Sequence, residues 1–81
     1  MVKVTFFSLL RSKYNIKEVF VEPGTINDII EQILEQHPNI EKSSFRYSVV
    51  IYKGNPIYYY SFNIDIEDDE EIIFTHFVSG G

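Results

Sequence analysis

The sequence predicts an α+β fold in which a mixed sheet of four to five strands carries one main helix packed across it. Three patterns lead there. Residues 2–8 alternate apolar and polar with a period of two, and residues 71–78 (EIIFTHFV) form a second extended apolar segment at the other end of the chain. Between them, Ile26, Ile29, Ile30, Ile33 and Leu34 fall at i, i+3, i+4, i+7 and i+8, which is a single apolar stripe on a helix. A sheet face and a helix stripe must each be covered, and one helix laid on one sheet covers both.

The elements come in this order. In residues 2–8, Val2, Val4 and Phe6 alternate with Lys3, Thr5 and Ser8, and Phe7 is an outward apolar exception. After the polar stretch 11–15, residues 17–22 (KEVFVE) are β-branched and aromatic in the middle and charged at both ends, which suits a second strand hairpin-paired with the first. Pro23-Gly24 breaks that strand. Thr25 stands three residues before Asp28, so its hydroxyl can accept from the open N–H groups of a new helix while Asp28 favours the positive end of the helix dipole. Glu31, Gln32, Glu35 and Gln36 fall away from this stripe. His37-Pro38 ends the helix, because proline disfavours helical dihedrals in the residue before it.

Residues 39–44 read as a connection and 47–52 as a strand. Lys53-Gly54-Asn55-Pro56 carries turn chemistry, 57–62 a short extended piece, Glu67-Asp68-Asp69 a charged turn, and 71–78 the final strand. No second 3.6-residue stripe, internal repeat or linker is visible. This order is the β-grasp, or ubiquitin-like, arrangement if the first and last strands pair in parallel at the centre of the sheet. Residues 1–81 are then a single β-grasp domain with a flexible C-terminal Gly-Gly tail.

Composition narrows the function. With 81 residues, one core is expected, since two smaller ones would bury too little surface. Seven basic against twelve acidic residues give a net charge of -5, which opposes binding to nucleic-acid backbones and favours basic or apolar partners. The absence of cysteine excludes disulfides, thiolate metal sites and a thiol nucleophile, and a cytoplasmic location follows as the default. Charges interrupt the N-terminal apolar stretch every few residues, so neither a targeting segment nor a membrane span is expected. The two histidines stand far apart, and residues 65–71 lack the glycine and ligand spacing of a calcium loop, so no metal site is expected.

The sequence closes on Ser79-Gly80-Gly81. Two consecutive glycines at a given place occur by chance in roughly 0.5% of chains. Six residues from His76 onward, if extended, reach about 20 Å, far enough to enter a partner's cleft. Glycine has no Cβ, so a narrow active site can close around Gly80 and Gly81 and approach the terminal carbonyl from either side. An α-carboxyl is ionised at neutral pH and is a poor electrophile, but it can attack the α-phosphorus of ATP. A sulfur donor can then displace AMP and leave a thiocarboxylate, with no internal thiol to compete.

The opening Val2-Lys3-Val4-Thr5-Phe6-Phe7-Ser8-Leu9-Leu10-Arg11, the helix begun at Thr25, the acidic turn before Glu71-Ile72 and the closing Phe77-Val78-Ser79-Gly80-Gly81 together resemble the MoaD/ThiS family of ubiquitin-like sulfur carriers. The likeness spans nearly the whole chain and looks closer to the molybdopterin synthase small subunit, MoaD, than to the thiamine-pathway carrier, ThiS. It implies a β-grasp fold and adenylation of Gly81 by an ATP-dependent activating enzyme that uses Mg²⁺. It further implies conversion of Gly81 to a thiocarboxylate, and insertion of the tail into a larger catalytic subunit that builds the dithiolene of molybdopterin. The chain itself is then a carrier subunit that binds no cofactor. Where the family often has a proline pair before the terminus, this chain has His76-Phe77, and Lys53 replaces an asparagine common before the mid-chain glycine. Carriers for thiamine or tRNA thiolation share the same terminal chemistry, and a ubiquitin-like modifier would join Gly81 to a lysine amine instead.

Candidate site residues are defined by this reading. Gly81, with Gly80 beside it, is the reactive group. Phe7, Tyr58, Tyr60, His76, Phe77, Val78 and Ser79 are the candidate partner-binding residues, the aromatic ones because tyrosine and phenylalanine are enriched at interfaces. Ser8, Thr75 and Ser79 have no partnering base in view, which leaves nucleophilic catalysis without support.

Overall fold

The computed structural model describes residues 1–76, apart from the side chains of Ser8 and Leu9. Seven strands and two α-helices appear in the order β1 (Val2–Phe6), α1 (Ser8–Tyr14), β2 (Glu18–Val21), β3 (Gly24–Thr25), α2 (Ile26–Gln36), β4 (Ser48–Tyr52), β5 (Asn55–Ile57), β6 (Asp65–Ile66) and β7 (Glu71–His76). Two 3₁₀ helices, Lys42–Phe45 and Tyr59–Ser61, interrupt the connections.

A five-stranded sheet runs β2-β1-β7-β4-β5, and β3 pairs with β6 in a separate two-stranded sheet. β1 and β7 are parallel, with Val4 opposite Ile72 and Phe6 opposite Phe74, while β2 and β4 flank them antiparallel. The first and last strands therefore meet in the middle of a mixed sheet, and α2 lies across it: this is the β-grasp fold.

The alternation in β1 buries Val2, Val4 and Phe6, and β7 contributes Ile72 and Phe74 to the same face. On α2 the stripe Ile26, Ile29, Ile30 and Ile33 is buried against them, with Leu34 packed at its margin. Thr25 caps α2 as expected: its hydroxyl accepts from the Asp28 N–H at 3.1 Å, and the Asp28 carboxylate accepts from the Thr25 N–H at 3.1 Å. Gly24 suits this cap because a Cβ there would stand 3.1 Å from the Asp28 carboxylate.

Two expectations are corrected. The chain between β1 and β2 is not a polar hairpin connection but the seven-residue helix α1, which buries Leu10 and half-buries Tyr14 one turn later. Asn15 stops it in the left-handed conformation at φ 55°, a role asparagine tolerates. Residues 57–62 do not continue as an extended piece. Pairing of β5 ends at Ile57 opposite Val50, and the Ser61 and Phe62 N–H groups then bond to the Tyr58 and Tyr59 carbonyls to form the second 3₁₀ turn. The polar face of α2 makes contacts of its own with the border of the sheet. The Gln32 amide both donates to the Glu22 carbonyl at 3.0 Å and accepts from its N–H at 2.8 Å, and Gln36 donates to the Phe20 carbonyl at 3.1 Å.

Those glutamines occupy backbone groups along the border strand β2, which would otherwise be open to pairing with another chain. The opposite border, β5, is three residues long and carries Pro56, which has no N–H to offer. Replacing Gln32 with alanine is expected to cost about 1 kcal/mol, the usual worth of such bonds, and to speed amide exchange at Glu22. Urea unfolding and hydrogen exchange measure the two effects, and unchanged protection at Glu22 would show that the amide bridge is idle.

Candidate functional site

The last described strand, β7, is the central one of the sheet. β7 is held on one side by β1 and on the other by β4, so its last described residue, His76, is anchored across from Ser48. Phe77, Val78, Ser79, Gly80 and Gly81 lie outside the described residues. The register fixes what surrounds the root of that segment. Phe6, Phe74, Val50 and Ile57 form one row across four strands, so Phe7, Thr75, Val49 and Tyr58 stand one residue further along.

Phe7 and Tyr58 consequently flank the β7 end from opposite sides, three strand spacings or about 14 Å apart. Phe7 is 43% exposed and lies under the Arg11 guanidinium, 6.0 Å from ring centroid to Cζ. On the other flank, all of Tyr58, Tyr59 and Tyr60 are exposed, and the rings of Tyr58 and Tyr60 stack at 6.0 Å. The 3₁₀ turn, rather than strand alternation, sets their directions, so none of the three is a core residue; Tyr59 reaches inward only as far as an edge contact with Phe62 at 5.6 Å. Tyrosines presented in this way offer large contact area at low entropic cost, as interface residues do.

His76 is half-buried, and its Nδ1 is buried without a hydrogen-bond partner among the described residues. The neighbouring Ser48 hydroxyl is committed to the Phe45 carbonyl at 2.6 Å. His76 thus sits at the root of the tail, on the face where β7 buries Ile72 and Phe74.

The acidic turn is engaged within the chain itself. The N-terminal ammonium of Met1 bonds to the Asp68 carboxylate at 2.5 Å and lies 3.8 Å from Asp69, while Glu70 faces Lys53 at 3.7 Å. The hydrogen bond with Asp68 raises the Met1 ammonium above its ordinary 8.0, and the same bond holds Asp68 below its ordinary 3.8. The ammonium contributes stability below pH 8.0 and loses it as pH rises through its raised value. The carboxylate contributes above pH 3.8 and loses it as pH falls through its depressed value. In an NMR titration, the Asp68 carboxyl is expected to titrate below its ordinary value, and Asp68→Asn to return the Met1 amine toward 8.0. A Met1 amine unmoved by the substitution would break the assignment. Among the described residues no group of three or more His, Asp or Glu side chains is placed to hold a metal, and no helix is long and apolar enough to cross a membrane.

The topology and the central position of β7 define the class: a ubiquitin-like β-grasp domain. A crystal structure of SAMP1 from Haloferax volcanii has the same fold, with a TM-score of 0.74 and 19% sequence identity over 99% of this chain and 98% of that chain. No protein-family model and no curated protein matches the chain in sequence.

Proposed function

We propose that this chain is a sulfur carrier whose Gly81 carboxylate is adenylated by an ATP-dependent partner and converted to a thiocarboxylate. The observation that supports the reading is the position of β7, the last described strand, at the centre of the sheet. β7 is clamped between two strands, and five residues follow its last described position, ending in Gly80-Gly81. A rigid body then presents a side-chain-free carboxyl to an enzyme, which is what terminal acyl activation requires. The carboxylate oxygen attacks the α-phosphorus of ATP and pyrophosphate leaves. Hydrosulfide then adds to the acyl carbon, the bond to AMP breaks, and a thiocarboxylate, AMP and a proton result. The chemistry is the partner's; this chain supplies the substrate group.

Within this class, the resemblance of the sequence to the molybdopterin synthase small subunit favours sulfur delivery for molybdopterin, with Phe7, Tyr58, Tyr60, His76 and the segment 77–79 contacting the larger catalytic subunit. A second reading is supported by the likeness to SAMP1, a ubiquitin-like small archaeal modifier protein: joining of Gly81 to a lysine amine through an isopeptide bond. Incubation with ATP, Mg²⁺, an activating enzyme and sulfide, followed by intact mass measurement, separates the two. Exchange of one oxygen for sulfur at Gly81 is the expected result. Conjugates on other proteins without that exchange would favour the modifier, and neither product with any activating enzyme would end the proposal. Co-purification with a larger synthase subunit distinguishes the molybdopterin route from thiamine or tRNA thiolation.

A further inference from the structure

We propose that the outward face of α1, with Phe7 before it and Lys17 after it, is a docking surface for an acidic segment of a partner protein. α1 turns Leu10 into the core and half-buries Tyr14, and the intervening Arg11, Ser12 and Lys13 are exposed. Lys17, shortly beyond the helix, is exposed as well. Phe7 is exposed ahead of them, under the Arg11 guanidinium. The surface therefore joins an apolar ring to three cations. The Phe7 N–H, bonded to the Phe74 carbonyl at 2.9 Å, fixes it near the end of β7.

The charges at this surface do not balance. Of the seven lysine and arginine side chains, Lys3 pairs with Glu18 at 3.5 Å, Lys42 with Glu31 at 2.7 Å and Lys53 with Glu70 at 3.7 Å. Arg11, Lys13 and Lys17 have no ion pair among the described residues, and residues 1–17 contain no acidic side chain. Glu41 comes to the flank of α1, where its N–H donates to the Tyr14 hydroxyl at 3.4 Å. Three unpaired cations thus stand against one carboxylate. Arg46 also lacks an ion pair, but the groove it lines holds Asp28, which has no cationic partner, so no surplus arises there. The acidic turn lies at the other end of the sheet, since Lys3 is opposite Glu71, four residues or about 13 Å along the chain from Phe7. That separation exceeds the screening length of about 8 Å at physiological ionic strength. The surplus of cations around α1, and not the net charge of -5, therefore governs what is drawn to this end, and an acidic segment with an apolar side chain meets both the cations and Phe7. A nucleic acid or a membrane surface would spread past the three cations onto a chain that repels it. The proposal rests on the reading above in taking the tail-bearing end of β7 as the end that meets a partner. Peptide binding is measured without any tail chemistry, so either can fail alone.

The full chain, ¹⁵N-labelled, is to be titrated with acetyl-Glu-Glu-Phe-Glu-Glu-amide and with its uncharged counterpart acetyl-Gln-Gln-Phe-Gln-Gln-amide. The acidic peptide is expected to shift the amides of Phe7, Arg11, Lys13 and Lys17 saturably, and the glutamine peptide to bind about tenfold more weakly. Arg11→Gln, Lys13→Gln and Lys17→Gln combined should weaken the acidic peptide by about tenfold. Lys42→Gln with Lys53→Gln, which removes cations already paired, should weaken it by less than about twofold. All five side chains are exposed, and spectra unchanged away from the substitutions verify that each variant folds. Equal binding of the two peptides, equal weakening by the two sets of substitutions, shifts centred on another face, or no saturable shift would overturn the proposal. So would stronger saturable shifts of the same amides with anionic phosphatidylglycerol vesicles or with single-stranded oligothymidylate, which would assign the surface to a membrane or to nucleic acid.

Discussion

Replacing Phe74 with alanine is expected to remove about 3–5 kcal/mol of folding stability, the usual range for truncating a fully buried phenylalanine. Phe74 is fully buried in the middle strand of the sheet. Its ring stacks on Phe6 at 5.9 Å and meets Phe45 and Phe62 edge-on at 5.3 and 6.3 Å. Four rings drawn from β1, β7 and both 3₁₀ regions therefore close around one position, and the cavity left by alanine cannot be filled without moving several of them. A small domain has only about 5–15 kcal/mol in total, so much of the variant should be unfolded under mild denaturant. Phe74→Leu, which keeps more volume, should cost distinctly less. Urea titration followed by near-ultraviolet circular dichroism tests both, and an alanine variant within about 1 kcal/mol of the parent would refute the central role given to this ring.

Removing Gly81 is expected to abolish sulfur acceptance while leaving the unfolding midpoint unchanged. The two outcomes have separate causes. Among the described residues, the ladder of β7 with β1 ends at Phe74 and the ladder with β4 at His76, and the buried core residues all precede His76. The proposed chemistry, by contrast, needs a carboxyl at the far end of a Gly-Gly pair, and without Gly81 that group is one residue short of where a partner would hold it. Extending the chain by one residue after Gly81 should be equally damaging, because the reacting carbonyl becomes an internal amide. Both are read by intact mass after incubation with ATP, activating enzyme and sulfide. A truncated chain that still gained sulfur would remove the basis for assigning the reaction to this residue.

Much of the architecture was legible because its signals are periodic and local. The stripe from Ile26 to Leu34 and the Thr25–Asp28 cap lie within a few residues of one another, and they located α2 closely. The Lys53-Gly54 turn was legible for the same reason: both residues have positive φ, 52° and 77°, and glycine makes the second one easy. α1 escaped because seven residues give barely two turns; Leu10 and Tyr14 at i and i+4, followed by Asn15, were the only marks of it. β3 and β6, two residues each, are too short for any period to register.

The features that matter for recognition were harder to read. The tyrosine run stood out as a candidate for partner contact, but its exposure depends on the chain turning into a 3₁₀ helix after Ile57 while β4 still has Val49 and Ser48 unpaired by β5. The engagement of Gln32 and Gln36 with β2 depends on how closely the helix approaches the sheet border. Which lysine and arginine side chains find carboxylate partners, leaving Arg11, Lys13 and Lys17 without one among the described residues, is a matter of contacts across the fold. The reading of Gly80-Gly81 rests on the sequence and its chemistry, since those residues lie outside the described region.

The parallel pairing of β1 with β7 joins the first and last described strands of the polypeptide. During synthesis, then, the emerging chain can form α2 and local turns but cannot close its core until the final strand has left the ribosome, because both middle strands are required. Folding of this domain waits for residues 71–76. A chain that stops before residue 71 lacks the central strand and stays open to proteolysis.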